Sequence, residues 1–488
     1  MTNDGTDLHY LSASALAELV RARKVGCLEL LDHFLDRVQR HNPTLNAIIV
    51  LMAEQARERA READAALARG DVWGPLHGVP MTIKESFDVA GTPSTWGVPE
   101  LRDNIASDDS LAVRRLKQAG VTLFGKTNVP LMLSDWQSFN EIYGTTGNPW
   151  NTALTPGGSS GGSAAALAAG LTGVEAGSDI GASIRNPAHY CGVFGHKPTY
   201  AILPLTGHAL PDSPVPPDIS VIGPLARSAD DLETATRIMA GPDTPDDAGW
   251  TLDLPAETRS APRDFTVGIM LEASPCAQDN ELTDQLQATV DRLAAAGVRI
   301  RETPGPVRDP ARAHLVYLML LRAATGSRLP ASQIAEHRAR AEASDPEDLS
   351  YGTIVDRAVT MSHQEWQAWN GERELLRREW AAFFESCDLL LTPVAASAAF
   401  PHDHEGERAD RVIPINGSSE PTVDQLFWAG LPSVVYLPAT AAPAGLTRSG
   451  LPCGLQIIGP HLADLRTIAF AQMMERELGG FVPPEGYA

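Results

Sequence analysis

The sequence predicts an α/β fold built as one large domain with a helical layer at its N-terminal end. Three observations carry that reading. A helix pattern, a glycine and a short apolar run follow one another over residues 110–124 and again over 282–300, the cadence of helices alternating with strands. The first seventy residues show only the 3.6-residue spacing of helices, and no fixed-period repeat divides the chain. Apolar residues make up 43% and charged residues 20% of 488 positions, an ordinary globular balance that excludes a disordered scaffold.

The elements follow in order. Leu16, Leu19 and Val20 share one helix face that stops at Gly26; Leu30, Leu31, Phe34 and Val38 share another that stops at Asn42-Pro43. An Ala-rich third helix ends near Gly70. Residues 79–83 read as a strand, Ser110 as the N-cap of a helix that Gly120 ends, and 121–124 as the next strand. Later, Leu282, Leu286, Val290 and Leu293 mark a helix face, Gly297 stops it and 298–300 restarts a strand. Residues 433–437 and 455–458 read as two further buried strands. Loops rich in proline and polar residues cover 204–218, 242–262 and 400–421, none long enough to be a linker.

Charge and cysteine usage narrow the function. With 39 basic and 61 acidic residues the net charge is −22, which disfavours a general electrostatic grip on nucleic-acid phosphates or anionic lipid. Cys27, Cys191, Cys276, Cys387 and Cys453 form no CxxC pair and are odd in number, so reduced core thiols are expected rather than disulfides or a zinc knuckle. The acidic, polar start Met1-Thr2-Asn3-Asp4 and the absence of an uncharged apolar run of spanning length point to a cytoplasmic protein without a membrane partner.

The run Gly157-Gly158-Ser159-Ser160-Gly161-Gly162-Ser163 is the most unusual stretch. It lacks the lysine of a phosphate-binding P-loop. The helix-forming segment Ala164-Ala165-Ala166-Leu167 follows at once, so it reads as packed rather than as a flexible linker. It formally matches Gly-x-Ser-x-Gly, but the turn-like residues 148–156 do not supply the strand that such an elbow needs. Another run of small residues, Gly177-Ser178-Asp179-Ile180-Gly181-Ala182-Ser183-Ile184-Arg185, places Ser183 24 residues beyond Ser159, and Lys84 lies 75 residues before it. In an extended segment Lys84 faces away from Ile83 and Glu85.

Lys84, the Gly-Gly-Ser-Ser-Gly-Gly run and Ser178-Asp179-Ile180-Gly181-Ala182-Ser183-Ile184-Arg185, in this order and spacing, resemble the amidase signature family of serine hydrolases, in its free-standing bacterial form. The likeness is strongest over 78–198 and continues through 221–228, with weaker pieces at 388–393 and 454–459. It implies one domain over 1–488: a large mixed, twisted sheet covered by helices on both faces, a helical layer over 1–70, a catalytic core over 78–228 and a more variable substrate-side region over 243–420. It implies an amidohydrolase acting on linear amides without metal or organic cofactor. Ser183 is then the nucleophile, Ser159 the proton shuttle behind a cis Gly158-Ser159 peptide, and Lys84 the base. Backbone N–H groups of Ile180, Gly181 and Ala182 form the oxyanion hole.

Such chemistry requires an unprotonated lysine, and burial away from carboxylates is the means of depressing its ordinary pKa of about 10.4 to roughly 7–8. One residue departs from the family pattern: Ala182 stands where a second glycine is usual. At a positive φ the alanine would be strained by about 1–2 kcal/mol. After Lys126-Thr127-Asn128-Val129-Pro130 the chain resembles a family substrate-pocket wall, and with Met132, Leu133 and Trp136 there the resemblance implies an apolar or aromatic acyl group. The resemblance implies a small amide or anilide as substrate, with esters and urethanes open, and an enzyme expected to act as a monomer or homodimer.

The competing function is the A subunit of a glutamyl-tRNA amidotransferase-like complex, which releases ammonia from glutamine. Asn186 in place of the usual glutamine, and Ala201-Ile202 after Lys197-Pro198-Thr199-Tyr200, count against it. A catalytically weak binding homologue is the third alternative. His189, His196 and His208 near the motifs read as structural or surface groups, Cys191 as core, Asp179 and Arg185 as a supporting ion pair. The run His402-Asp403-His404-Glu405 reads as a polar loop and not a metal site.

Overall fold

The structure, a computed structural model, describes residues 7–211, 213, 215–301 and 305–487. The reading of the polar start falls on residues 1–6, and two positions of the 204–218 loop, 212 and 214, also lie outside the described residues.

An eight-stranded mixed sheet forms the centre. Its order in space is Arg299–Arg301, Thr266–Ile269, Leu389–Pro393, Pro452–Ile458, Ala439–Leu446, Phe194–Lys197, Val221–Ala226 and Glu175–Asp179. The first three strands run parallel and every later neighbour is antiparallel. Both faces are covered, as an α/β sheet requires. On the strand Leu389–Pro393, Leu389 and Leu391 enter one apolar cluster with Leu286, Ile468 and Met473. Leu390 between them enters a different cluster with Tyr317, Trp380 and Trp428 on the opposite face. The two-residue period of the strand thus separates two layers of helices.

A three-stranded sheet, Ile48–Leu51, Thr122–Thr127 and Pro80–Lys84, lies beside the edge strand Glu175–Asp179. Gly173 N–H donates to Pro80 O at 3.0 Å and Thr82 N–H to Thr172 Oγ1 at 2.9 Å. This junction carries the end of Pro80–Lys84 toward the sheet edge.

The N-terminal helices form as expected, with Leu16, Val20, Leu30, Leu31, Phe34 and Val38 buried, but their boundaries differ. Gly26 is the N-cap of the second helix, Cys27–Leu45, and does not end the first, which closes at Arg21. Pro43 lies inside that second helix, in its last turn, and Asn46 in a left-handed conformation terminates it two residues past the expected stop. The strand Ile48–Leu51 interrupts what reads in sequence as continuous helix; only Ile48 is buried, too little for periodicity to register. Ser110 caps Leu111–Gln118, and Gly297 at φ +107° ends Asn280–Ala296. Residues 433–437 are not a strand: Leu426–Ser433 is a buried helix, and Leu437 N–H closes a turn onto Pro432 O at 2.9 Å. A short apolar run buried on all sides has no period to distinguish the two. The 400–421 loop contains the hairpin of Val412–Ile415 and Ser418–Pro421.

Candidate active site

Lys84 is the last residue of its strand, paired with Thr127 of Thr122–Thr127, and is fully buried. Its Nζ lies 2.7 Å from Ser159 Oγ, 3.0 Å from Ser160 Oγ and 3.0 Å from Ser178 Oγ. Three hydroxyls suit either protonation state: an ammonium donates to all three, while a neutral amine donates to two and accepts from one. Burial draws the Lys84 pKa down to about 7, against the opposing pull of Asp179 and Glu85. Both carboxylates are engaged elsewhere. Glu85 accepts from the N–H groups of Thr95 at 2.5 Å and Trp96 at 3.0 Å, as strand alternation anticipates. Glu175, on the neighbouring strand and hydrogen-bonded by the Thr82 hydroxyl, is pushed up to about 8 by burial, which favours its uncharged form.

Ser159 follows a cis Gly158-Ser159 peptide and precedes the helix Gly161–Ala168, every residue of which is buried. Its glycines answer to packing. A Cβ on Gly162 would overlap the backbone N of Asn128 and lie 2.8 Å from Ala47 O.

Ser183 sits where the strand Glu175–Asp179 turns into the short helix Arg185–Cys191. The turn is wrapped around Asp179, whose carboxylate accepts from the N–H groups of Ala182 at 2.9 Å and Ile184 at 3.2 Å. Arg185 donates to it through Nη2 at 2.8 Å and Nε at 3.0 Å, with both side chains fully buried. Burial alone would raise the Asp179 pKa, but Arg185 holds it below the usual carboxylate range. Ala182 has φ +67°; alanine tolerates that region at a cost of about 1 kcal/mol.

Two side chains fix the backbone before Ser183 from behind. Tyr317 hydroxyl donates to Ile180 O at 3.0 Å and Trp136 Nε1 to Gly181 O at 2.7 Å. Because a trans peptide opposes its C=O and N–H, this turns the Gly181 N–H away from Tyr317 and the Ala182 N–H away from Trp136. The Ala182 N–H, one of the expected oxyanion donors, donates to Asp179 Oδ1 at 2.9 Å in this structure. The N–H groups of Ile180, Gly181 and Ser183 meet no acceptor among the described residues.

Ser159 and Ser183 line one cavity of about 110 Å³ together with Met132, Leu133, Trp96 and His208. Among the described residues the Ser183 hydroxyl has no hydrogen-bond partner; Lys84 Nζ meets Ser159 Oγ at 2.7 Å, and no hydrogen bond joins Ser159 to Ser183. Of the predicted pocket residues, Met132 and Leu133 lie on this wall, both at positive φ. Trp136 lines a smaller recess next to it and also braces Gly181. His208 is buried in the cavity wall, stacked edge-on against Phe87 and linked to Ser86 Oγ at 3.0 Å; a lone histidine in a Pro-rich loop carries no signal of that place. Ser160 and Ser178 stand within the two runs of small residues, but only the fold shows that they touch Lys84. His189 and His196 are held by backbone and Asp464 contacts away from this cavity. Cys191 is core, its thiol pushed up by burial. Among the described residues no group of His, Cys, Asp or Glu is arranged to hold a metal ion, and His404 stacks on Phe139 at 3.7 Å.

The end of the small sheet's strand Pro80–Lys84 thus sets a buried lysine against Ser159, which shares one cavity with Ser183 at the edge of the large sheet, an arrangement suited to an enzyme that uses a serine nucleophile. Over residues 29–468 the sequence matches the Amidase family model, and the chain belongs to that family. The chain is 32% identical to the A subunit of a glutamyl-tRNA(Gln) amidotransferase from Synechococcus sp. (strain CC9605), over 96% of this chain and 97% of that protein. It is 31% identical to an indoleacetamide hydrolase of Bradyrhizobium diazoefficiens, over 95% of this chain and 86% of that one. The fold superposes on a bacterial aryl acylamidase of the amidase signature family with a TM-score of 0.81 at 25% identity, covering 97% of both chains.

Proposed function

We propose that this amidase hydrolyses a small carboxamide or anilide through an acyl-enzyme on Ser183. The observation that carries the reading is the buried Lys84 amine, drawn to a pKa of about 7 and 2.7 Å from Ser159 Oγ in the cavity that Ser183 shares. The reaction requires Ser159 Oγ and Ser183 Oγ, which line the same cavity, to come within hydrogen-bond reach. Ser183 Oγ then bonds to the carbonyl carbon while its proton passes through Ser159 to the neutral amine. The Ile180, Gly181 and Ser183 N–H groups meet the oxyanion. The proton returns to the nitrogen, the C–N bond breaks and the amine leaves. Water, losing its proton along the same path, attacks the ester carbon; the proton returns to Ser183 Oγ as its bond to that carbon breaks, and the acid is released. Donors fixed in advance are typically worth about 10²–10³ in rate each.

In this reading residues 78–228 supply the reacting groups of a single domain, and the substrate-side region 243–420 adds Ala324, Thr325 and Arg328 to the cavity. The apolar wall of Trp96, Met132, Leu133 and Leu210 suits an alkyl or aryl portion of the substrate, urethanes included. We place the enzyme in the cytoplasm as a monomer or homodimer. Its net charge of −22 suits no nucleic-acid partner, and among the described residues no helix is long and apolar enough to cross a membrane.

The near full-length likeness to amidotransferase A subunits keeps the glutamine-dependent reading as the second one. Purified chain alone, assayed on anilides, primary amides, carbamates and glutamine, separates them: partner-free turnover of anilides or amides is expected, and turnover of glutamine alone, only with partners, rejects the first reading. Ser183→Ala and Lys84→Ala are expected to lose at least about 10³ in kcat, with fluorophosphonate labelling abolished in Ser183→Ala. Persistent labelling there overturns the assignment of the nucleophile.

A further inference from the structure

Beside the main cavity, and sharing Leu133, Ser134, Ile180, Ser183 and Thr325 with it, lies a recess of about 40 Å³. Two guanidinium groups line it, Arg322 from the helix Pro310–Gly326 and Arg408 from the turn before Val412–Ile415. Among the described residues neither pairs with a carboxylate. Arg322 Nη2 donates to the Tyr351 hydroxyl, and its Nε is buried without a partner among those residues. Arg408 donates through Nη1 to Ser134 O at 2.6 Å and through Nη2 to the same Tyr351 hydroxyl at 3.3 Å. Tyr351 Oη accepts from both and keeps its own proton to donate. The acidic residue on the wall, Asp135, is ion-paired with Arg411 Nη1 at 2.6 Å, and Arg408 also attracts it without forming a salt bridge.

A chain with 22 more acidic than basic side chains thus leaves two guanidinium groups beside the candidate nucleophile without a carboxylate salt bridge among the described residues, Arg408 having only the longer-range attraction of Asp135. Desolvation makes an unpaired cation costly, and a planar anion is the partner that a guanidinium fork fits best. A buried water needs roughly 10–15 Å³ of such space, so the recess holds a group of about three atoms, the size of a carboxylate. The leaving amine needs an exit, and the larger cavity, bordered by the exposed Met132, provides it. The recess, closed by buried Trp136 and Leu426, fits the arm that stays attached to the enzyme.

We propose that Arg322 and Arg408 form a carboxylate subsite, so that the preferred substrates are amides whose short acyl arm ends in an anion. This rests on Ser183 as the reacting residue. Two measurements separate its failure from failure of that reading. In the first, kcat/KM is compared for N-phenylsuccinamate and butyranilide, alike except for the terminal carboxylate. The wild-type enzyme is expected to favour the anion at least tenfold. Arg322→Gln and Arg408→Gln each cut that ratio at least fivefold, mainly through KM, and Arg322→Lys restores part of it. An unchanged ratio in both Gln variants, or no preference in the wild type, overturns the subsite.

The second measurement needs no turnover. Calorimetric titration of succinamate into the Ser183→Ala chain is expected to show binding that weakens at least tenfold in Ser183→Ala/Arg408→Gln. Equal affinity, or no binding to either chain, rejects the subsite even where amide hydrolysis itself stands.

Discussion

Lys84 concentrates the chemistry in one titration. With its pKa near 7 and the neutral amine as the working form, kcat/KM should rise about tenfold per pH unit below 7 and level off above it. A pH–rate profile flat from 5 to 8 is incompatible with a lysine base. The same shift acts on stability with a definite sign. The folded pKa lies below the unfolded value, so between about 7 and 10 the unfolded chain binds more protons and this residue's contribution to stability increases with pH. These groups were legible in sequence because three motifs stand in fixed order and spacing. Arg322, Arg408 and His208 were not, since a single polar residue in a helix or loop has no pattern and only the fold brings it to the cavity. Ala182 was half legible. Its departure from Gly-Gly-Ser was visible, whereas the engagement of its N–H with Asp179 at 2.9 Å depends on how the turn closes.

At the scale of elements, composition spoke clearly where one face is buried and poorly where all faces are. The helix Asn280–Ala296 exposes one side, and its buried positions Leu282, Leu286, Val290 and Leu293 follow the expected period. Leu426–Ser433 is buried throughout, with a proline inside, and its last residue opens the run 433–437 that reads in sequence as a strand. The helix Gly161–Ala168 poses the same problem and solves it with glycine. Gly162→Ala tests the reason. Inside a helix alanine is normally better than glycine by about 0.5–1 kcal/mol, but here the added methyl overlaps the Asn128 backbone, and overpacking costs about 1–3 kcal/mol. The second effect should win, lowering stability by about 1–2 kcal/mol in denaturant titration, with a fall in kcat as Ser159 shifts. A stabilised variant would mean that the close approach is not what selects glycine.

Across the whole molecule, the helical layer is fastened to the core by buried arginines that bind carbonyls and not carboxylates. Arg37, 1% exposed, reaches from Cys27–Leu45 to the residues just past the helix Gly161–Ala168, donating to Ala169 O at 2.9 Å and Gly170 O at 3.0 Å, and it also bonds Tyr487 O. Arg227 does the same between Thr172 O at 2.6 Å and Leu11 O at 3.0 Å. No periodicity announces such contacts, because both partners are set by tertiary packing and one of them is always backbone. They join the first, middle and last parts of the chain around the sheet edge that carries Lys84. Arg37→Leu keeps the volume of the stem but strands three carbonyls. Each hydrogen bond to a charged group is worth about 1.5–3 kcal/mol, and unpaired buried acceptors add desolvation. The expected loss is therefore at least about 3 kcal/mol, seen as an earlier unfolding transition on heating, while kcat of the chain that remains folded at low temperature stays within about twofold. A fall in kcat without a shift in unfolding would instead make Arg37 part of the relay's support.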